Sequence, residues 1–313
     1  MQRSDLIGRG TELGWHAAQR LPEPVADALF RAAADRMLHR AGPSVRQLAR
    51  NLGRVLAFRG PLDRDEFDRV MRDAVRSYAR YWKETVRLAA MDIDAVTDAA
   101  IAGAEGLHHI GAALDAGRGV VLALPHTGNW DVSGLIGTRL FGGLTTVAER
   151  VKPESLFRRF LEHRSSIGME VLPLTGGDGP VTTVLMQRLR AGRLVCLPAD
   201  RDLSGGGIEV DFFGGRATMP PGPAMLAART GADLCTVEVN FGPPGTRGTW
   251  RNVVSPPIAL NGTRLRQTVT DATQQIAHAF ERDIARVPAD WHMMQPFWLD
   301  DPAHRGRRGT GTA

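Results

Sequence analysis

The stretch ALPHTGNWDVSG puts His126, Asn129 and Asp131 within six residues of one another, directly after the apolar run GVVLALP. Imidazole is the side chain whose ordinary pKa lies near neutrality, so a histidine here can take a proton from an attacking hydroxyl and later return it. A carboxylate beside it would hold one ring nitrogen and raise the basicity of the other. Three apolar runs end in groups suited to this work. GVVLALP leads to His126 and Asp131, LTTVA to Glu149 and Arg150, and LVCLPA to Asp200, Arg201 and Asp202. Spacing alone is weak evidence, because His-x4-Asp arises by chance in many chains.

Other residues suit an anionic ligand. The planar fork of Arg201 matches a phosphate. The run SGGG, Ser204 to Gly207 with Gly206 inside it, offers backbone amides to a phosphate or an oxyanion, or else forms a plain hairpin turn. Pro220 to Pro223 lead into a helix whose first amides would serve the same end, and Arg229 on that helix is a candidate for a coenzyme phosphate.

The elements that must position these groups change in character along the chain. Up to about residue 100 the pattern is helical: Val25, Leu29, Ala33 and Met37 keep helical spacing, as do Val45, Leu48, Leu52 and Val55. Arg46, Arg50 and Arg54 form a cationic stripe beside the second set, which suits a solvated face or an anionic membrane surface. A third helix opens at Asp63, with acids in its first turn. From residue 118 short apolar runs alternate with helical segments: GVVLALP, LTTVAER, MEVLPL, RLVCLPAD and ADLCTVEV. That alternation predicts an α/β fold, a mainly parallel central sheet flanked by helices, with a helical N-terminal third. One domain is expected over residues 1–302: a mainly helical, membrane-facing part at 1–100, an α/β core at 118–300, and a disordered basic tail at 303–313.

Composition narrows the possibilities. With 313 residues, 43% of them hydrophobic, the chain can bury a large core. Residues 1–60 hold ten arginines against five acids, a surplus equal to the net charge of +5, so the basic front end suits an anionic partner. Cys196 and Cys235 lie in apolar runs and read as buried free thiols. No run reaches the roughly 18 apolar residues of a membrane span, and MQRSDLIGRGTEL has no signal-peptide core.

The motifs HTGNWD, AER and ADRDL, followed by VDFFG and MPPGPAMLAARTGA, resemble the bacterial lysophospholipid-type acyltransferases. RSYARYWKETVRL and WHMMQPFW are similar to one branch of them, the lipid A acyltransferases and phosphatidylinositol mannoside acyltransferases; HTGNWD with WHMMQPFW is most similar to the latter. The resemblance covers about residues 60 to 300 and implies a glycerolipid acyltransferase-like fold. It implies His126 as general base, drawing a proton from a sugar hydroxyl as that hydroxyl attacks an acyl-CoA thioester. Acyl-CoA is then a co-substrate, with no metal and no permanently bound cofactor. Asp131 completes the family's His-x4-Asp motif, and Asp200 matches a relay acid that is usually glutamate, one methylene longer. Glu149 and Arg164 match groups that contact the acceptor headgroup or the cofactor; the plainer reading of Glu149 is an ion pair at the sheet edge. Trp130 would wall an acyl channel or fill the core. The implied partners are a glycophospholipid acceptor and an anionic membrane surface, with the protein peripheral on the cytoplasmic face of the cell membrane. A long acyl chain, palmitoyl foremost, is expected.

Other functions fit less well. A nucleic-acid-binding protein would interleave aromatic and basic residues, yet the chain has two tyrosines and no such pattern, so no nucleic acid is expected. A metal-dependent hydrolase lacks HExxH or any paired His-x-His anchor. Within the acyltransferase reading, a lipid A-type enzyme taking acyl carrier protein as donor is the runner-up.

Overall fold

The protein's structure, a computed structural model, describes residues 14–302 apart from 16, 151–153, 176–179, 204 and 243–248. The basic tail at 303–313 and Ser204 thus lie outside the described residues. Three long helices come first: α1 (Glu23–Arg40), α2 (Pro43–Ala57) and α3 (Arg64–Arg87). Pro43 opens α2 at the position where its missing N–H costs no hydrogen bond. Asp63 caps α3 by accepting from the Glu66 amide at 2.7 Å.

The two apolar stripes of this region behave differently. Val45, Leu48, Leu52 and Val55 are all buried. Val25 and Leu29 are about half exposed, because α1 packs on α3 through the small residues Ala26 and Ala34 instead. The arginine stripe is partly neutralised. Arg54 pairs with Asp300 at 2.6 Å and lies over Trp298, Arg50 approaches Asp301, and Arg46 donates to the Ala41 carbonyl.

Helices α4 (Ile93–Ala102) and α5 (Leu107–Asp115) flank the short strand β1 (Ala104–Glu105). The alternating part then runs β2 (Val120–Leu124), α6 (Trp130–Leu140), β3 (Leu144–Ala148), α7 (Glu154–Ser166), β4 (Met169–Pro173), α8 (Val181–Arg190) and β5 (Leu194–Pro198). The hairpin β6 (Ile208–Phe212) and β7 (Gly215–Met219) follows. The described chain closes with α9 (Gly222–Thr230), β8 (Asp233–Phe241), β9 (Trp250–Val254), α10 (Leu265–Arg286) and the 3₁₀ turn Pro288–Asp290. The sheet order is β1-β9-β8-β2-β5-β3-β4, with β2, β5, β3, β4 and β8 parallel and β9 antiparallel to β8. The α/β fold with a mainly parallel sheet is therefore the observed one. The five expected strands are all present; the hairpin and the strands β1 and β9 were not foreseen.

Every residue of β2 is buried, as a central strand between two layers of helices requires. Its side chains alternate: Val121 and Ala123 join one core with α2, α9, α10 and the hairpin, while Leu122 and Leu124 face a second core under α5 and α6. At its C-terminal end, Leu124 pairs with Pro198 of β5.

Candidate active site

His126 and Asp200 each stand two residues past that paired strand end, and the register brings them together across 74 positions of sequence. His126 Nδ1 lies 2.5 Å from Asp200 Oδ1, and the His126 backbone N–H donates to Oδ2 at 2.9 Å. Aspartate, though shorter than the expected glutamate, reaches the ring directly. Asp200 is fully buried. Burial pushes its pKa up, but the His126 charge and the bonds from the His126 ring, its amide and the Trp291 indole outweigh this and hold it below the ordinary value. An ionised carboxylate only accepts, so in the neutral imidazole the proton lies on Nδ1 and the lone pair on Nε2. The imidazole side chain remains 27% exposed, open to a substrate.

The C-terminal motif WHMMQPFW locks this pair. Trp291 Nε1 donates to Asp200 Oδ2 at 3.0 Å, and the His292 backbone N–H donates to the His126 carbonyl at 2.9 Å. Trp291 is held by Phe212, Phe297 and Trp298 at ring distances of 5.2 to 6.0 Å. Asp290 ties three elements: its carboxylate accepts from Ser77 of α3 at 2.6 Å and from the Phe241 amide at 2.8 Å, and its carbonyl accepts from Gly128. Ser77 Oγ also lies 3.0 Å from His292 Nε2. Burial, with the His126 charge adding, pushes His292 down to about 3, so that ring is neutral. Gly128 has φ +55 and a Cβ there would lie 2.8 Å from the Val239 carbonyl, so the loop needs glycine. The motif had stood out by resemblance alone, and sequence reasoning assigned no role to Asp290, Trp291 or Ser77.

Asp131 serves a different partner. It is buried in the first turn of α6 and pairs with Arg164 of α7 at 2.6 Å, with Thr85 Oγ1 at 3.4 Å from its other oxygen. Burial works against the Arg164 charge, but the Asp131 charge and the bonds that Arg164 donates to Asp131 and Tyr81 outweigh it and hold the guanidinium pKa raised. Asn129 caps α6, accepting from the Asp131 and Val132 amides, and its own amide donates to buried Glu84 at 2.8 Å. The pair therefore braces the loop that carries His126.

Trp130 lies between the base and an apolar hollow. Its ring meets His126 edge-on at 5.5 Å and Tyr81 at 4.2 Å. Behind it a narrow apolar cavity of about 50 Å³ lies against β5, β2, β8 and β9 under α6, with Leu124, Leu194, Val237 and Val239 on its wall. An adjoining hollow shares Leu124, Trp130, Gly134, Leu144 and Cys196 and extends to Asp131 and Arg164. A Cβ on Gly134 would fall 2.0 Å from Met169 Cε, so glycine lets α6 lie close to the sheet at this point. The thiols of Cys196 and Cys235 are free, and burial pushes both up to about 12.

The remaining candidates are dispersed. Glu149 and Arg201 form an ion pair at 2.8 Å at the ends of β3 and β5, with Glu149 the more exposed. The Gly205 and Gly207 amides donate to Asp202 at 3.2 and 2.8 Å, so the glycine run cradles the chain's own carboxylate; Gly206 is exposed between them. This run links β5 to β6, whereas the hairpin turn itself falls at Phe213 and Gly214. Arg229 is exposed in the last turn of α9. It precedes β8, so it lies at the N-terminal edge of the sheet, opposite the edge that carries His126.

The model of the family described as bacterial lipid A biosynthesis acyltransferase matches residues 11–300. A phosphatidylinositol mannoside acyltransferase of Mycolicibacterium smegmatis is 45% identical, the match covering 99% of this chain and 98% of the relative. Proteins of the same name from two Mycobacterium tuberculosis strains, CDC 1551 and H37Rv, are 46% and 45% identical over 92% of this chain and 87% of theirs.

Proposed function

Because the chain belongs to the bacterial lipid A biosynthesis acyltransferase family, and is thus an acyltransferase, we propose that it transfers a long fatty acyl chain, palmitoyl foremost, from acyl-CoA to a mannose hydroxyl of phosphatidylinositol mannosides, with His126 as general base. The names of the mannoside acyltransferase relatives support the acceptor. The observation that carries the mechanism is the contact between His126 Nδ1 and buried Asp200, which turns Nε2 away from the carboxylate, with Trp130 between the ring and an apolar cavity.

In this reading the acyl chain lies in the cavity under α6 and its thioester sits at Trp130, in front of Nε2. The mannose oxygen attacks the thioester carbonyl carbon as Nε2 takes its proton, and the imidazolium is stabilised by Asp200. The tetrahedral intermediate then breaks its C–S bond, the sulfur leaves as thiolate, and the imidazolium protonates it to coenzyme A thiol. Ester and thiol are released and the base is restored. Glu149 and Arg201 stand at the strand ends for the polar parts of the substrates, and opening their pair would free the guanidinium for a phosphate. Acyl transfer from palmitoyl-CoA to phosphatidylinositol mannosides, abolished in folded His126→Ala, tests the reaction and the base together. Activity with acyl carrier protein alone would move the donor; persistence in the variant would overturn the base.

No helix among the described residues is long and apolar enough to cross a membrane. The enzyme reaches its lipid acceptor from the cytoplasmic face, through Val25 and Leu29 on α1 and Phe58 and Leu62 after α2, all exposed apolar groups, with basic neighbours drawing it to anionic lipid. Retention on neutral vesicles equal to that on anionic ones would remove the electrostatic part.

A further inference from the structure

One amide in the cavity under α6 has nothing to bond to. Asn252 sits in β9 between Trp250 and Val254 on the strand's inward face, and all three are buried. Neither Oδ1 nor Nδ2 of Asn252 has a hydrogen-bond partner, although the residue is 2% exposed. It lines the same cavity as Leu122, Leu124, Val237 and Val239. The hydroxyl of Ser133, also on the wall, donates to the Asn129 carbonyl at 3.1 Å. An amide taken out of water without a partner is a standing cost to the fold, and an unsubstituted hydrocarbon filling the cavity would leave it in place.

The two unpaired atoms define what would satisfy them. Nδ2 donates and Oδ1 accepts, so a hydroxyl answers both at once, accepting from one and donating to the other. A ketone answers Nδ2 alone, and a methylene answers neither. Water has the same capacity as a hydroxyl, but the apolar wall around Asn252 gives it too few further partners to be held well. A hydroxyl carried on a buried chain is held by the burial of that chain.

The register locates the group. Asn252 pairs with Val239 of β8, and β8 pairs with β2, the strand that ends at the catalytic loop. The amide is thus two strand spacings from β2, about 10 Å at the usual separation. That distance corresponds to the middle of a long chain, away from the thioester.

We propose that this enzyme also takes long acyl donors bearing a hydroxyl part-way along the chain, and that Asn252 recognises that hydroxyl. The inference rests on the reading that this cavity holds the acyl chain. The test compares kcat/KM for palmitoyl-CoA and for positional isomers of hydroxypalmitoyl-CoA, in the unmodified enzyme and in Asn252→Leu. One internal isomer is expected to be used roughly tenfold better by the unmodified enzyme than by the variant, the size of a single neutral hydrogen bond. The loss is read as the ratio of that isomer to palmitoyl-CoA within each enzyme, so a general effect of the substitution on transfer cancels. A variant that treats every isomer as the unmodified enzyme does would overturn the proposal. If Asn252→Leu does not fold, the ranking in the unmodified enzyme decides: one internal isomer matching or exceeding palmitoyl-CoA supports recognition, and rejection of every hydroxylated chain refutes it. If no donor yields transfer, the reaction assigned above has failed instead. Calorimetry of the free acids then tests the cavity alone, with tighter binding of one hydroxypalmitate than of palmitate expected, and equal or weaker binding overturning the assignment.

Discussion

Asp200→Asn keeps the shape of the side chain and removes its charge, which isolates what the carboxylate does for His126. Three donors converge on Asp200: the ring Nδ1–H of His126 at 2.5 Å, its backbone N–H at 2.9 Å and the Trp291 indole at 3.0 Å. Asparagine offers one oxygen and an NH₂ group. With the oxygen toward the ring, the NH₂ faces two donors. Turned over, the NH₂ faces Nδ1 and drives the ring to the tautomer with its proton on Nε2, which cannot act as a base. Unsatisfied donors in a fully buried site cost about 1–3 kcal/mol of stability. Loss of a competent base costs roughly 10²–10⁴ in kcat, or about 3–5 kcal/mol of barrier. KM should change little, because the carboxylate lies behind the ring and away from the substrate. Steady-state acyl transfer across pH, with thermal unfolding on the same samples, reads both quantities. Asp200→Glu should recover part of kcat, since it restores the charge but forces an extra methylene into a packed site. The carboxylate's folded pKa lies below that of an ordinary aspartate. Its stabilisation is therefore present above the ordinary value and is lost as the pH falls through the lowered one; the asparagine variant should lack that acid limb. A folded Asp200→Asn enzyme with kcat within about threefold of the unmodified one would refute this reasoning, because a general base that contributes 10²-fold or more cannot be so indifferent to its tautomer.

Arg164→Ala leaves the Asp131 charge buried without its partner and should cost about 3–5 kcal/mol in urea unfolding; a loss under 1 kcal/mol would show that the pair does not brace the loop. Gly134→Ala places a methyl 2.0 Å from Met169 Cε, driving that side chain toward the adjoining hollow, so the preferred acyl-CoA should become shorter; an unchanged chain-length profile would place the acyl chain elsewhere. Burial raises Asp290 to about 6, so the folded state binds its proton more tightly than the unfolded chain. Stability from this group is complete below pH 3.8 and falls as the pH rises through about 6, by about 3 kcal/mol. Asp290→Asn should flatten that slope in unfolding measured from pH 4 to 7, and an unaltered slope would assign it to another group.

Much of this protein was legible locally. Short apolar runs bounded by polar groups marked five strands, because a strand buried on both faces must be apolar along its length. Helical spacing marked α1 and α2, acids in the first turn marked α3, and the strand end after GVVLALP marked His126. The hairpin and the strand β9 were missed because VDFFG and WRNVV are broken by polar side chains, as suits strands with one exposed face. Pairings were not legible. Asp131, five residues from the histidine, bonds Arg164, while Asp200, 74 residues away, bonds the histidine. That choice is made by the register of β2 on β5, which sets Leu124 against Pro198 and so places both residues at the same height. Arg229 was assigned to a helix but not to an end of the sheet, and the direction of β8 decided that end. Spacing also could not say that Val25 and Leu29 face outward, since a helix has as many faces as it has partners to choose from. Sequence by itself determined which segments form strands and helices and which residues stand at their ends, because backbone periodicity and burial act within a few residues. Only the tertiary structure decided which of those ends meet, because strand neighbours are chosen by packing between segments far apart in the chain.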